Sequence, residues 1–298
     1  MLLITGASGM LGRYIKEEFD GFEIRTLGLS EGNDFVCDLT KYEPSFREQK
    51  FETVIHCAGT ENDEMADELN YKGTQALVKA LSLNPPENFV YISSYRVYSE
   101  DAGENIKEEE NLFATTEAGK SKARAEEYLR DWALKNDVTL TIIRPALMFG
   151  NGVKGKALEL FNDAIDSKYI HVRGNDARVS VVTAYDVARI IRKIFDRGGV
   201  YNVADNFNPR LIDLVEAMTA NAGGKKRMTH LPLAWAEWIW RLGRWIPSID
   251  RNLSPETVEK RMKTFTLDGT KAASVAGLTY FNTLEVLERT HSSYPYSM

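Results

Sequence analysis

The chain has 298 residues, is 43% apolar and 27% charged, and carries a formal net charge of −6. That composition builds one large α/β unit or two intimate domains, and its acidic balance excludes a general attraction to nucleic acid or to an anionic membrane. Two cysteines, Cys37 and Cys57, without paired ligand spacing, exclude a disulfide framework and a zinc site, so no metal is expected.

The first apolar run, Leu2–Ile4, leads straight into Thr5-Gly6-Ala7-Ser8-Gly9-Met10-Leu11-Gly12 and a helical stretch over Leu11–Phe19. A glycine triplet between a strand and a helix suits a dinucleotide pyrophosphate. Gly6 permits the sharp turn, Gly9 lets the backbone approach the phosphates, and Gly12 lets helix pack on strand. The free N–H groups and positive dipole end of the helix face the anion. The bland alternative is a tight turn with no ligand.

Further strands are predicted at Glu23–Leu27, Thr53–His56, Asn88–Ile92 and Val138–Ile143, with helices at Lys41–Gln49, Asp63–Leu83 and Thr116–Lys135. This alternation predicts a doubly wound parallel sheet, with ligands outside the carboxyl ends of its strands. After Gly150-Asn151-Gly152 the pattern loosens. Strands are expected at Val179–Val182 and Val200–Val203, and helices at Arg210–Ala220, Pro232–Arg244 and Pro255–Lys263. The expected organisation is a dinucleotide-binding domain over residues 1–150 plus about 176–206. A smaller lobe takes about 151–175 and 207–298. No basic leader precedes the first strand, and no apolar stretch reaches the ~18 residues of a membrane span. A reducing cytoplasm is expected.

The segment Leu231–Ile246 holds four of the five tryptophans, at helical spacing. It reads first as a core-facing helix, second as an apolar wall of a substrate cleft, and third as a surface that adsorbs to a membrane.

Several segments line up in order behind the glycine loop. They are Cys37-Asp38-Leu39, His56-Cys57-Ala58-Gly59, Asn70-Tyr71-Lys72-Gly73-Thr74, Val90-Tyr91-Ile92-Ser93-Ser94-Tyr95-Arg96-Val97-Tyr98 and Gly119-Lys120-Ser121-Lys122. Arg144-Pro145 with Phe149-Gly150, Asp186-Val187-Ala188 and Tyr201-Asn202-Val203 complete the set. Together they resemble the extended short-chain dehydrogenase/reductases, in the NAD-dependent epimerase/dehydratase branch, over nearly the whole chain. The resemblance implies an NAD(P)-binding Rossmann fold whose cofactor contacts are Gly6, Ser8, Gly9, Met10, Leu11, Gly12, Asp38, Leu39, Cys57, Ala58, Gly59, Lys122 and Pro145. Asp38 would accept the adenine amino group, and Ala58 and Gly59 would line the ribose and nicotinamide side. Ser94 would hydrogen-bond the reacting substrate oxygen, and Lys122 would bind the nicotinamide ribose hydroxyls. The bland rivals are a loop cap for Asp38 and a solvated helix lysine for Lys122.

In that family a general acid/base tyrosine sits four residues before the lysine; here the position is Ala118, and a methyl group cannot shuttle a proton. Tyr95, directly after Ser94, is the best surrogate. Tyr128 lies roughly 15 Å along the helix from Ala118, Tyr98 packs beneath the strand end, and Glu117 is weaker. Tyr95-Arg96 replaces the acidic pair of the dehydratases, which disfavours dehydration. Leu27-Gly28-Leu29-Ser30 offers neither an acid for an adenosine 2′-hydroxyl nor a clear arginine for a 2′-phosphate, although Arg13 could approach one; the balance leans to NAD over NADP. Arg178 lies near where related enzymes hold a diphosphate, while Val179–Asp186 and the tryptophan segment look like the hydroxysteroid-dehydrogenase side. A nucleotide sugar thus competes with an apolar alcohol or ketone as substrate. A cofactor-binding sensor or assembly subunit without catalysis is the rival of another class. The resemblance also implies a homodimer through Asp63–Leu83 and Thr116–Lys135.

Overall fold

A computed structural model of the chain describes residues 1–46, 49–98, 103–166, 168–221, 228–246 and 253–289. Seven strands form one parallel sheet: β1 (Leu2–Thr5), β2 (Ile24–Gly28), β3 (Phe35–Val36), β4 (Thr53–His56), β5 (Asn88–Ile92), β6 (Thr139–Pro145) and β10 (Gly199–Val203), in the order β10-β6-β5-β4-β1-β2-β3. The chain runs outward from β1 in one direction and from β4 in the other. The order therefore reverses between β1 and β4, whose register pairs Thr5 with His56. In such a sheet the reversal opens a crevice at the carboxyl ends.

Both faces are covered, which is why the strands read as continuous apolar runs. Leu2 and Ile4 face a cluster with α1 (Met10–Glu18) and α6 (Ala184–Ile194). Leu3, between them, faces the opposite cluster, with α3 (Gly73–Leu81) and α4 (Glu117–Asn136). A third apolar cluster gathers Phe149 of β7 (Leu147–Phe149), Phe161 of α5 (Gly155–Ile165), Val181 of β9 (Val181–Thr183), Leu214 of α7 (Leu211–Asn221) and Leu287 of α11 (Thr283–Arg289).

Three expectations need correction. No helix forms over the described part of Lys41–Gln49, residues 41–46 and 49; residues 47–48 lie outside the described residues. Pro44 lacks an N–H and disfavours helix in the residue before it, and Phe46 turns instead into edge contacts with Phe35 and Phe51. The stretch Asp63–Leu83 is not one uniform helix. α2 (Asp63–Ala66) passes into a π-helical segment, Asp67–Lys72, before α3 begins.

The tryptophan segment is the third. It follows β11 (Thr229–Leu231), which pairs with β8 (Ile170–Val172), and forms α8 (Leu233–Gly243). The core-facing expectation fails: Ala236 is the helix's buried residue, while Trp235, Trp238 and Trp245 just beyond it are 62, 61 and 81% exposed. Two short helices, α9 (Pro255–Met262) and α10 (Thr270–Ala276), precede α11. Among the described residues no helix is long and apolar enough to cross a membrane.

Candidate nucleotide and sugar site

The crevice between β1 and β4 is built by close backbone approach. Gly6 holds φ +65°, and a Cβ there would lie 2.8 Å from the Ala58 nitrogen at the end of β4. A Cβ on Gly12 would fall inside the Gly6 carbonyl oxygen. Gly9 is the N-cap of α1, and neither a side-chain cap nor an acid in the first turn occupies the leading N–H groups of that helix. Ser8, Met10, Leu11 and Gly12 therefore surround an open helix start with its partial positive charge. The cradle fits a dinucleotide: only backbone atoms crowd Gly6 and Gly12, and a Cβ on Gly9 would meet only the Gly6 carbonyl.

A buried hydrogen-bond chain fixes the β4 side. The Thr74 hydroxyl donates to the Asn70 carbonyl (2.7 Å), so it accepts from His56 Nε2–H (3.0 Å). His56 Nδ1 then accepts from the Thr5 hydroxyl (2.6 Å), which itself accepts from the Ala58 N–H (3.1 Å). This assigns one neutral tautomer from the donor inventory. Burial pulls the His56 pKa down to about 3, with the Lys122 charge adding to the shift. Asn70, in the π-helical segment, clamps Thr60 through its Oδ1 (2.8 Å) and Nδ2 (2.9 Å) and reaches Ser121 Oγ on α4 (3.1 Å). The sequence signal for this chain was a histidine ending an apolar strand, with Asn70 and Thr74 one helical turn apart. Its role as a brace was not read from it.

Lys122 is half-buried and donates to the Ile92 carbonyl (2.7 Å). A Cβ on Gly59 would lie 3.3 Å from Lys122 Nζ, so the amine stands directly against the Ala58-Gly59 loop. Burial lowers its pKa to about 8 against the opposing pull of Glu61, Cys57 and Glu126. The solvated-lysine alternative does not describe this residue. Burial pushes the Cys57 thiol up to about 12, which makes it a small hydrophobe rather than a nucleophile.

Ser94 caps a short 3-10 turn, Tyr95–Val97, accepting the Arg96 N–H at its Oγ (3.2 Å). That bond uses a lone pair and leaves the hydroxyl proton for another oxygen. Tyr95 is half-buried and its ring packs on Phe265 (5.6 Å between centroids). Ala118 stands in the first turn of α4, four residues before Lys122. Its N–H is held by Asp63 Oδ1 (2.8 Å) and its carbonyl by the Ser121 hydroxyl (3.0 Å). At 2% exposure the methyl group is enclosed, so the position is packed for a small residue. Gly119 beside it touches the Arg96 carbonyl so closely that no Cβ would fit, which seats α4 on the Ser94 turn. Tyr98 packs under the strand end as expected, donating to Asn202 Oδ1 (2.9 Å).

Other candidates are engaged locally. Asp38 Oδ1 accepts from the Thr40 hydroxyl (2.7 Å) and N–H (3.0 Å), and Oδ2 faces Lys41 (3.0 Å); these partners hold its carboxyl below the ordinary range. The loop-cap alternative thus describes Asp38 in this structure, and only the exposed Lys41 contact would have to yield to a ligand. Leu39 is buried against Gly73. Pro145 ends β6 opposite Val203. Arg13 Nη2 donates to the Asn151 carbonyl (2.5 Å), and Arg178 donates to the Asn208 carbonyl (2.9 Å).

Beneath the site lies a buried ion pair that the sequence reading did not single out. Arg144 meets Glu126 through two bonds (Nε–Oε1 3.0 Å, Nη2–Oε2 2.6 Å), and Ser93 Oγ donates to the same carboxylate (2.6 Å). Arg144 also donates to the Tyr98 hydroxyl (2.7 Å). Burial opposes the charge on Glu126, yet the bonds and charge of Arg144 hold its carboxyl below the ordinary range. The brace joins β5, β6, β10 and α4 one helical turn from Lys122.

A glycine cradle at the reversal of a doubly wound parallel sheet, with a lysine against the loop opposite, defines a Rossmann-type nucleotide-binding protein. More narrowly, the chain belongs to the NAD dependent epimerase/dehydratase family, whose model matches residues 2–204. A curated relative, N-acetyl-alpha-D-glucosaminyl-diphospho-ditrans,octacis-undecaprenol 4-epimerase of Escherichia coli O157:H7, is 26% identical over 251 residues, 78% of this chain and 75% of that protein. The solved UDP-glucuronic acid 4-epimerase of Bacillus cereus in complex with NAD matches with TM-score 0.70 at 16% identity, over 96% of this chain and 94% of that one. RMD from Pseudomonas aeruginosa, complexed with NADPH, matches with TM-score 0.71 at 18% identity, over 97% of each chain. The two structural likenesses show the fold.

Proposed function

We propose that this chain is an NAD(P)-dependent epimerase of a sugar carried on a diphosphate. The observation that carries this reading is the pairing of an uncapped α1 start, framed by Gly6, Gly9 and Gly12, with Lys122 Nζ pressed against Gly59 across the same crevice. Family membership and the diphosphate-linked sugars in the names of its relatives supply the substrate class.

When bound, a pyridine nucleotide supplies a hydride acceptor and donor beside the sugar carbon. The α1 N–H groups would hold its pyrophosphate, and Asp38, Leu39, Cys57, Ala58, Gly59 and Pro145 would line it. Lys122 would bind its ribose hydroxyls, and Ser94 would donate its hydroxyl proton to the reacting sugar oxygen. With Ala118 where a tyrosine would stand, the proton passes to water or to Tyr95. NAD is favoured over NADP because Arg13, the arginine that could approach a 2′-phosphate, is engaged with Asn151. The rest of this reading is a cytoplasmic homodimer paired through α3 and α4. Within it, about 151–175 and 207–298 would form the sugar lobe. Light scattering that finds only monomer removes the dimer.

Calorimetry with NAD, NADH, NADP and NADPH tests the core of the proposal. Binding of at least one is expected, tighter for NAD than for NADP; no binding overturns it. One observation favours a second reading. Ala118 is enclosed rather than facing an open notch, which suits a nucleotide-binding sensor or assembly subunit that performs no turnover. Epimerisation of a UDP-sugar or lipid-diphosphate sugar that falls in Ser94→Ala removes the second reading.

A further inference from the structure

The helix α8 presents two of its three tryptophans, Trp235 and Trp238, outward. At 100° per residue, Trp235, Trp238 and Leu242 share one stripe about 60° wide, and Trp245, just past the helix end, extends it to about 80°; all four are more than half exposed. The opposite side, with buried Ala236 and half-buried Ile239, Trp240 and Gly243, rests on the protein. The polar residues Glu237, Arg241 and Arg244 border the stripe along one edge, and the Arg244 guanidinium lies 5.1 Å from the Trp245 ring centre. The base of the helix is fixed: Leu231 pairs with Val172 in the β11–β8 ladder, and its carbonyl accepts the Arg173 N–H (2.8 Å).

Exposed indoles beside arginines suit one environment better than bulk water. At a lipid interface the ring carbons enter the acyl boundary, the indole N–H stays at headgroup level, and guanidinium groups meet lipid phosphates. The indoles argue for lipid, and the local charge fits an anionic one. Leu231–Ile246 holds two arginines and one glutamate, a local excess of +1 in a chain of net −6. An anionic bilayer would attract this face and repel most others, and so orient the molecule. The composition that excludes a general attraction to anionic membranes thus leaves room for a directed one.

We propose that α8 lies in the interface of an anionic membrane and that the diphosphate-linked sugar reaching the site is carried on a lipid. The second clause rests on the epimerase reading above; the first does not. Co-sedimentation of the full chain with phosphatidylcholine vesicles, with and without phosphatidylglycerol, tests the first. The chain is expected to pellet with the anionic vesicles, with blue-shifted tryptophan emission and weakening in salt. The triple variant Trp235→Ser, Trp238→Ser, Trp245→Ser should lose at least about ten-fold in partitioning while its thermal midpoint and nucleotide affinity stay unchanged. Arg241→Glu with Arg244→Glu should remove the preference for phosphatidylglycerol. A chain that stays in the supernatant overturns the membrane proposal. So does a wild-type dimer that the triple variant converts to monomer without any vesicle binding, since a second copy would then cover the stripe.

The substrate clause is tested by comparing a lipid-diphosphate sugar in vesicles with the matching UDP-sugar in solution. The triple variant should lose kcat/KM on the first and keep it on the second. Equal effects on both overturn lipid carriage, whereas vesicle binding without turnover of either sugar overturns the epimerase reading and leaves the membrane contact standing.

Discussion

Beneath the carboxyl edge of the sheet His56, Glu126 and Arg144 are enclosed and paired, whereas α8 holds Trp235, Trp238 and Leu242 in the open. Both stretches are rich in apolar residues at regular spacing. The difference lies in what surrounds them. Around Gly6 and Gly119 the backbone itself fills the space, and polar groups such as His56 and Glu126 meet a complete set of partners. Around α8, among the described residues, the Ala236 side is covered and the side of Trp235 and Trp238 is exposed. Periodicity therefore reports that a face is shared with something, and the partner has to be read from geometry.

The sharpest way to break the enclosed region is to leave one of its charges alone. Glu126→Ala strands Arg144 and should lower stability by about 3–5 kcal/mol, measured by urea unfolding at neutral pH. The folded carboxyl has a depressed pKa, so its contribution is present above the unfolded value, about 4.3, and fades as pH falls through the folded one. The gap between wild type and Glu126→Ala should accordingly close in acid.

Ala118→Tyr addresses the same region from the functional side. Restoring a phenol one turn before Lys122 should raise epimerisation by about 10²–10⁴-fold. Forcing a ring into an enclosed site should lower stability by about 1–3 kcal/mol. Initial rates and a thermal melt on one preparation check both signs; a stable variant with no gain in rate favours the sensor reading.

Gly12→Val pushes a side chain into the Gly6 carbonyl. It should cost about 1–3 kcal/mol and abolish measurable nucleotide binding, while the triple tryptophan variant leaves binding intact. Calorimetry on the pair separates the two regions directly.

The remaining expected effects concern Lys122 and Thr74. With the lysine titrating near 8, raising pH removes its charge, and nucleotide affinity should fall a few-fold across that value. Thr74→Val removes the acceptor for His56 Nε2–H and should cost about 1–3 kcal/mol, with neutral His56 retained in the NMR spectrum at pH 6.

Strands β1, β2, β4, β5 and β6 were legible because parallel strands covered on both faces are plain apolar runs, and Thr53–His56 and Asn88–Ile92 match residue for residue, whereas the two-residue β3 was not read. The glycine loop was legible because each glycine answers a separate steric demand. Pro44 carried a warning against the helix at Lys41–Gln49 that its apolar spacing obscured. The short strands β7, β8, β9 and β11 were largely hidden, since three residues carry almost no period, although Val179–Val182 overlaps β9. The buried Glu126–Arg144 pair was hidden for another reason. A charged residue on a long helix reads as solvated until the strand partner, eighteen positions away, is seen beside it. The outward turn of the tryptophans was hidden because one pattern serves a core, a cleft and a bilayer.

The Thr5–His56–Thr74 chain runs in a single polarity, from the Ala58 amide to the Asn70 carbonyl. Reversing any link would set two protons, or two lone pairs, against each other. Its imidazole, of the residue type most often used to sense acidity, stays uncharged down to about pH 3. The floor of the crevice should keep its shape through any acidity a living cell experiences, so a change in nucleotide affinity near neutrality has to originate elsewhere.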